Sequence, residues 1–428
     1  MEQDPVQRVH MASFDTDTET GERITVTFYP GVDEIHLGTS MLGRGTNVIG
    51  GREKGPQGMA LHRDTGKLRD GNDLVVKIYW PDESRTSEVE ILKKAKEYGK
   101  EVDFIGNHIP EVVCYLDPNF LRSSTKPIAQ QFGLPTKGSR RIRIIVFRRL
   151  VPITRLKEED MLTACLQCFF CEYGGLPETH SLTTGEHTGH FFLWKKGIHH
   201  GDISLGNLMW DPERKVGVLN DFDLAKFEDK TVASGQDNTG TLPFMALDLL
   251  SEEGLRGDIP RLYRHEAESF AWCLIFLYLS MVESKDGHIG TRHPHPLNKW
   301  FENWQDSRNA RLGLKWQEHN IVDIPPVYPN TGTLANGLYG YWDERYRKQF
   351  PGDRERPSGF EEPLMQKLHI KMSQQMKVPP YKEPENELLF RELLYIHGER
   401  LGRHPELTSI KELLEGMIDG YMALEQAT

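Results

Sequence analysis

The 428-residue chain has little cysteine and no long apolar run, and each deficit excludes a class of protein. Five cysteines are too few for a disulfide framework in a chain of this length, so a reducing compartment is expected. The longest apolar run, Ala271–Val282, is well short of the roughly 20 residues that a membrane-spanning helix needs. No apolar stretch follows the first ten residues either. These absences predict an intracellular protein, in the cytoplasm or the nucleus, without a membrane partner.

Positive charge is also in deficit, because 52 Lys and Arg stand against 63 Asp and Glu, a net charge of −11. Proteins that bind nucleic acid with most of their surface are usually basic, so no nucleic-acid partner is expected. At roughly 100 to 200 residues per domain, the length allows two or three domains, or one large unit with two lobes.

The pattern of apolar residues changes near residue 150. Residues 25–152 read mainly as strands, with one amphipathic helix at 87–98. Residues 153–428 are mostly helical in their periodicity. The expected fold class is therefore α+β, with a strand-rich N-lobe followed by a mainly helical C-lobe.

Three further stretches break this pattern. Residues 1–24 are polar and acidic without a period, which predicts a flexible arm. Residues 174–190 and 299–377 are rich in loop-forming residues with weak periodicity, and they predict insertions in the C-lobe. Helical periodicity returns near the C-terminus and predicts a helical extension.

The strongest chemical signal is the stretch IHHGDISLGNLMWDPERKVGVLNDFD, which begins at Ile198. Asp202 precedes Asn207 by five residues, and Asp221 follows behind an apolar strand. Phosphoryl transfer needs one carboxylate to accept the proton of the attacking hydroxyl. It also needs an amide oxygen and a second carboxylate to hold Mg²⁺ against the phosphates. The ordered set therefore predicts a phosphotransferase.

These motifs resemble those of a known family. HGDISLGN and NDFDLA are similar to the catalytic loop and the metal-binding motif of the protein-kinase superfamily. The sequences of these motifs are most similar to those of the fungal-type protein kinases, which also carry a segment like WPDESR after the first lysine. The resemblance implies a bilobed protein-kinase-like fold with ATP and Mg²⁺ as cofactors. It also implies Asp202 as the catalytic base, and Asn207 and Asp221 as the metal ligands.

The same resemblance implies a nucleotide site in the N-lobe. Gly43 and Gly45 lie between two predicted strands, where backbone amides would cover the phosphates. The third glycine of that loop is replaced by Val48. The backbone of Phe147 to Leu150 precedes the lobe boundary and is the expected contact for adenine.

A lysine in a predicted apolar strand completes the predicted nucleotide site. Lys77 lies in the apolar strand LVVKIYW, which is similar to the VAIK strand of kinases, and it needs an anionic partner there. Glu88, at the start of the next helix, is the expected partner, and Glu90 is the competing candidate. Lys77 and Glu88 are therefore predicted to act with Asp202 in catalysis.

The substrate class rests on GTLPFMALD, residues Gly240–Asp248, which we call the acceptor segment. It is similar to the end of the activation segment in kinases that phosphorylate proteins, and this similarity implies a protein substrate. The helix that follows carries Glu266 where the family has aspartate, which leaves its hydrogen bonds to the catalytic loop open.

Further departures from the kinase pattern keep two alternatives open. Gly201 replaces the arginine before the base, Ser204 replaces the lysine two residues after it, and Asp223 replaces the glycine of DFG. A glycine before the base is also typical of aminoglycoside and choline kinases, so a small-molecule kinase is one alternative. Val48, Gly201 and Ser204 together allow a nucleotide-binding pseudokinase as the other.

Two groups of cysteine and histidine residues, which could bind metals, are instead predicted to have structural roles. Cys165, Cys168 and Cys171 have apolar neighbours, and they are expected to lie in the core of a helix. Five histidines between His180 and His200 are expected to be polar loop residues rather than zinc ligands.

Overall fold

The computed structural model describes residues 12–17, 23–28, 34–37, 45–54, 74–101, 105–116, 124–170, 189–228, 240–283, 289–291, 297–314 and 329–349. The chain divides into two compact units. The first unit comprises Met1–Ile153, Lys196–His200 and Leu208–Val232. The second comprises Thr154–Lys195, Gly201–Asn207 and Ala233–Thr428.

The described part of the first unit is rich in strands. Its strands are β1 (Ala12–Asp17), β2 (Arg23–Phe28), β3 (Glu34–Leu37), β4 (Asn47–Lys54), β5 (Leu74–Tyr79), β6 (Val112–Leu116), β7 (Arg143–Arg148), β8 (Val151–Pro152), β9 (Ile198–His199), β10 (Leu208–Asp211), β11 (Val216–Leu219) and β12 (Lys226–Phe227). Its helices are α1 (Glu88–Glu101) and α2 (Lys126–Gln131).

One antiparallel sheet dominates this unit. Its strand order is β1-β2-β4-β5-β7-β6, and β3 also pairs with β4. β5 therefore lies inside the sheet, with Lys77 opposite Val48 on β4 and Ile145 on β7. The buried core of the sheet consists of Val26, Ile49, Leu74, Val76, Val113, Cys114 and Val146.

The described part of the second unit is mainly helical. Its elements are α3 (Glu158–Phe170), α4 (Gly189–Lys195), α5 (Glu252–Arg256), α6 (Tyr263–Ser280), β13 (Met281–Glu283), β14 (Ile289–Thr291), α7 (Trp304–Leu312) and α8 (Pro329–Gln349). All residues of α6 except Arg264 and Tyr278 are buried. A helix that is buried on all sides forms the centre of a core. The run Ala271–Val282 falls largely in this helix, and none of the helices in the described ranges is long and apolar enough to cross a membrane.

The mixed α+β class is confirmed, with an antiparallel sheet towards the N-terminus and helices later. β1 lies within the stretch 1–24, and α7 and α8 lie within 299–377. The predicted C-terminal helical extension and most of 174–190 lie outside the described residues.

Candidate active site

The centre of the candidate site in the first unit is a buried ammonium group. Lys77 Nζ lies 2.7 Å from Glu88 Oε2 and 2.5 Å from Asp221 Oδ1, and Asp223 Oδ2 is 3.9 Å away. Burial alone would lower the pKa of Lys77, but Asp221, Glu88 and Asp223 together outweigh it and hold the pKa well above its usual value. The lysine is therefore charged at neutral pH and joins three acidic side chains.

Helix α1 selects which glutamate meets Lys77. α1 begins at Glu88, whose side chain is fully buried, whereas Glu90 is exposed. The guanidinium of Arg143 donates to the carbonyl oxygens of Arg85 at 3.1 Å and Thr86 at 3.3 Å. These bonds fix the turn before α1. Sequence reasoning missed Arg143, because it is the first residue of β7 and follows other arginines, so the sequence does not distinguish it from them.

Asp221 lies at a turn that Glu88 also contacts. Its backbone is left-handed, with φ 63° and ψ 72°, and its side chain is 30% exposed. The next residue, Phe222, is fully buried and donates its backbone N–H to Glu88 Oε1 at 3.1 Å. His200 Nε2 donates to Asn220 O at 3.0 Å, and its ring lies 4.6 Å from that of Phe222. Asp221 is thus held on both sides by buried neighbours while its own carboxylate reaches solvent.

The strands before Asp221 are fixed by a buried histidine. β10 and β11 form an antiparallel pair. His108 Nδ1 donates to Gly217 O at 2.7 Å, and Leu219 N donates to His108 O at 3.0 Å. Burial lowers the pKa of His108 to about 4, although its hydrogen bond to Gly217 opposes this shift. The imidazole is therefore neutral at pH 7.

The predicted nucleotide-binding residues of the sheet are only partly described. Gly43 lies outside the described residues. Gly45 has a left-handed φ of 56°, which favours glycine, and its carbonyl accepts from Asn47 Nδ2 at 3.3 Å. Phe147 and Leu150 have buried side chains, so a ligand would have to meet their backbone.

In the second unit, Asp202 is held by the acceptor segment. The backbone N–H and the hydroxyl of Thr241 both donate to Asp202 Oδ1, each at 2.8 Å. Asn207 Nδ2 donates to Asp202 O at 2.8 Å. The sequence did not predict the contact between Thr241 and Asp202, because thirty-nine residues separate them. The structure thus brings the predicted base and Asn207 together in one short loop.

Gly201 is held through both of its backbone polar groups. Its N–H donates to Glu266 Oε1 at 2.7 Å, and its carbonyl accepts from Arg261 Nη1 at 2.9 Å. The second carboxylate oxygen of Glu266 lies 2.6 Å from His190 Nε2, which donates to it. Glu266 therefore makes the contact to the loop of Gly201 and Asp202 that the sequence left open. Gly201 has φ 83°, which disfavours any residue with a Cβ.

Comparison with protein families covers this region of the chain. Residues 187–278 match the model of the fungal protein kinase family. This match confirms the resemblance inferred from the motifs, over a stretch that contains Asp202, Asn207 and Asp221. Lys77 and Glu88 lie outside the matched residues. A search of the curated proteins gives no match.

The residues that the fungal protein kinase resemblance assigns to Mg²⁺ fit a hard cation. Asn207 uses its Nδ2 for Asp202 O, so its oxygen is the atom suited to a metal. The carboxylate of Asp221 is partly exposed. Mg²⁺ at nucleotide sites usually takes one or two protein ligands, and the phosphates complete its coordination. Within the described ranges, no group of three or more His, Cys, Asp or Glu side chains has the geometry of a protein-only metal site.

Proposed function

We propose that the chain is an ATP-dependent phosphotransferase, namely a protein serine/threonine kinase of the fungal type. The observation that carries the proposal is the buried network in which Lys77 joins Glu88 and Asp221. A charged lysine that is held between two carboxylates from distant parts of the chain is suited to binding phosphate oxygens. The family match at 187–278 supports the same chemistry.

Residues of the sheet are the proposed binding site for ATP. The loop that contains Gly43 and Gly45 is proposed to cover the phosphates with its backbone amides, and Val48 lies opposite Lys77 in the neighbouring strand. Lys77 binds the α- and β-phosphates, and Glu88 fixes its position. The backbone of Phe147 and Leu150 contacts adenine. Asp221 and Asn207 are the proposed Mg²⁺ ligands, and Mg²⁺ bound there would neutralise phosphate charge.

The proposed transfer uses Asp202 as the base. The hydroxyl oxygen of the acceptor attacks the γ-phosphorus, and the bond from that phosphorus to the bridging oxygen of ADP breaks. Asp202 Oδ2 or Oδ1 takes the hydroxyl proton, and Thr241 orients the carboxylate through its two hydrogen bonds. ADP leaves with the electron pair of the broken bond.

A small-molecule kinase is the second candidate, and Gly201 favours it. Aminoglycoside and choline kinases also carry glycine before the base. The acceptor segment argues for a protein substrate instead, since Thr241 of that segment contacts Asp202 directly. A third reading, a pseudokinase, draws on Ser204, which leaves one positive charge fewer beside the transferred phosphate.

The proposal is tested by measuring phosphate transfer from ATP, in the presence of Mg²⁺, to a panel of proteins, peptides and small alcohols. We expect the wild type to label protein hydroxyls, and Asp202→Asn to lose at least about a hundred-fold in kcat. Asp258→Asn is the matched control, because Asp258 is exposed in the same unit and pairs with Arg256. Labelling of small alcohols alone favours the second candidate. Equal background turnover in the wild type and Asp202→Asn contradicts the enzyme proposal.

A further inference from the structure

Helix α7 presents one face of polar side chains to the acceptor segment. Ser307 and Arg308 lie four and three residues before Arg311, spacings that make each of them a neighbour of Arg311 on the helix surface. Arg311 Nη1 donates to Met245 O at 2.7 Å, and its Nη2 donates to Leu242 O at 3.2 Å. Ser307 Oγ donates to Leu242 O at 3.3 Å, and Arg308 Nε donates to Leu247 O at 3.3 Å. Three carbonyls of the segment are therefore bound by one helix.

Arg311 is the central group of this contact. Its side chain is fully buried, and its guanidinium carbon lies 5.0 Å and 5.7 Å from the ring centres of Trp272 and Trp300. Burial lowers the pKa of Arg311 to about 10, and the Glu268 carboxylate opposes that shift. A buried cation is costly for stability compared with an apolar residue of similar size. Its planar fork of donors, however, can fix two carbonyls at once, which an apolar side chain cannot do.

The opposite side of the acceptor segment is fixed as well. Glu268 Oε1, on α6, accepts from Leu247 N at 3.0 Å and from Trp272 Nε1 at 2.8 Å. Its Oε2 accepts from the hydroxyl of Tyr346, on α8, at 2.6 Å. The peptide of Leu247 is thus bound at its N–H by α6 and at its carbonyl by α7. Hydrogen bonds from both helices therefore hold the segment.

The segment leads directly to the proposed base. Leu242, whose carbonyl Arg311 binds, follows Thr241, whose N–H and hydroxyl bind Asp202. A shift of the Leu242 carbonyl would therefore move both donors of Thr241. We infer that Arg311 is a positioning residue that holds the acceptor segment so that a protein substrate lies against Asp202. This inference rests on the proposed function and extends it to 299–377, a stretch to which the sequence assigned no role.

The test compares Arg311→Gln and Arg311→Lys with the wild type. Gln is shorter and has one donor nitrogen in place of the two that bind Met245 O and Leu242 O, so we expect KM for a peptide acceptor to rise about ten-fold while KM for ATP stays unchanged. Lys keeps the charge but lacks the fork, and an intermediate KM is expected. Arg256→Gln is the control, since it removes the same charge from an exposed site in the same unit. A substitution that only reduces the fraction of folded enzyme would lower the apparent kcat and leave both KM values unchanged.

Hydrogen exchange at the amides of 240–248 gives a readout that does not need activity. We expect faster exchange there in Arg311→Gln than in Arg256→Gln, because two carbonyl contacts are lost. Exchange and peptide KM equal to those of the control overturn the positioning role. If the wild type itself transfers no phosphate to any hydroxyl, the proposed function fails, and the positioning role fails with it. That outcome is recognised from the wild type before any variant is compared.

Discussion

His108 predicts a specific pH dependence of stability. In the folded protein it is buried and neutral, with Nδ1 donating to Gly217 O, and burial lowers its pKa from 6.5 to about 4. The unfolded chain binds a proton near pH 6.5, whereas the folded chain does so only near pH 4. His108 therefore contributes stability that is complete above about pH 6.5 and is lost as the pH falls towards 4.

The size of this effect follows from the pKa shift. A fall from 6.5 to about 4 corresponds to about 3 kcal/mol, since one pKa unit is worth about 1.4 kcal/mol. At about pH 5, roughly 2 kcal/mol of this would already be lost relative to about pH 8. That is a large part of the roughly 5 to 15 kcal/mol that stabilises a typical folded protein.

Urea denaturation followed by circular dichroism between about pH 8 and pH 5 measures this contribution. The comparison is with His108→Asn, whose side-chain amide keeps a donor for Gly217 O but does not titrate. The variant is expected to be less stable at pH 8 because its side chain is smaller, and to lose less stability on acidification. The difference in the free energy of unfolding between wild type and variant should shrink by roughly 2 kcal/mol between pH 8 and pH 5. Parallel pH curves for the two proteins would refute the reasoning.

Two further predictions concern residues of the candidate site. Glu88→Gln removes the buried carboxylate partner of Lys77, so KM for ATP should rise about ten-fold. Glu90→Gln, at an exposed position of the same helix, should leave KM for ATP unchanged. Equal effects of the two substitutions would contradict the assignment of Glu88. Gly201→Ala forces a Cβ into a left-handed backbone and should cost about 1 kcal/mol or more, seen as a fall in the melting temperature together with a lower kcat. Gly206→Ala meets only an ordinary contact with Ser204 and is the control, so a similar fall in both variants would remove the strain argument.

The local elements of the site could be predicted from the sequence, because each has a short pattern. A lysine within an apolar strand, followed by an amphipathic helix that begins with acids, predicted the region in which Lys77 meets a glutamate. That pattern favoured Glu88 but left Glu90 open. The choice depends on the residue at which α1 begins, and the ends of helices are the part of a pattern that is least well defined.

Contacts between distant residues could not be predicted in the same way. Arg311 binds carbonyls sixty-six and sixty-nine residues earlier in the chain, and a backbone carbonyl carries no sequence signal. Helix α8 was also missed, because its glycines disfavour a helix. Packing explains the presence of at least one of these glycines, since a Cβ on Gly332 would lie 2.5 Å from the ring of Tyr278. Tertiary contact there requires glycine and overrides its low helix propensity.

The excess of acidic groups that gives the chain its net charge of −11 also occurs locally, around Lys77. The ammonium group of Lys77 faces the carboxyl groups of Glu88, Asp221 and Asp223, so acidic groups outnumber the basic group around it. An anionic nucleotide would add to this excess, and a bare triphosphate should therefore bind poorly. Nucleotide that carries a divalent cation reduces the repulsion, because the cation offsets charge on both the phosphates and Asp221. The affinity of the proposed site for nucleotide should therefore fall when the divalent cation is removed, which a binding titration with and without the cation would measure.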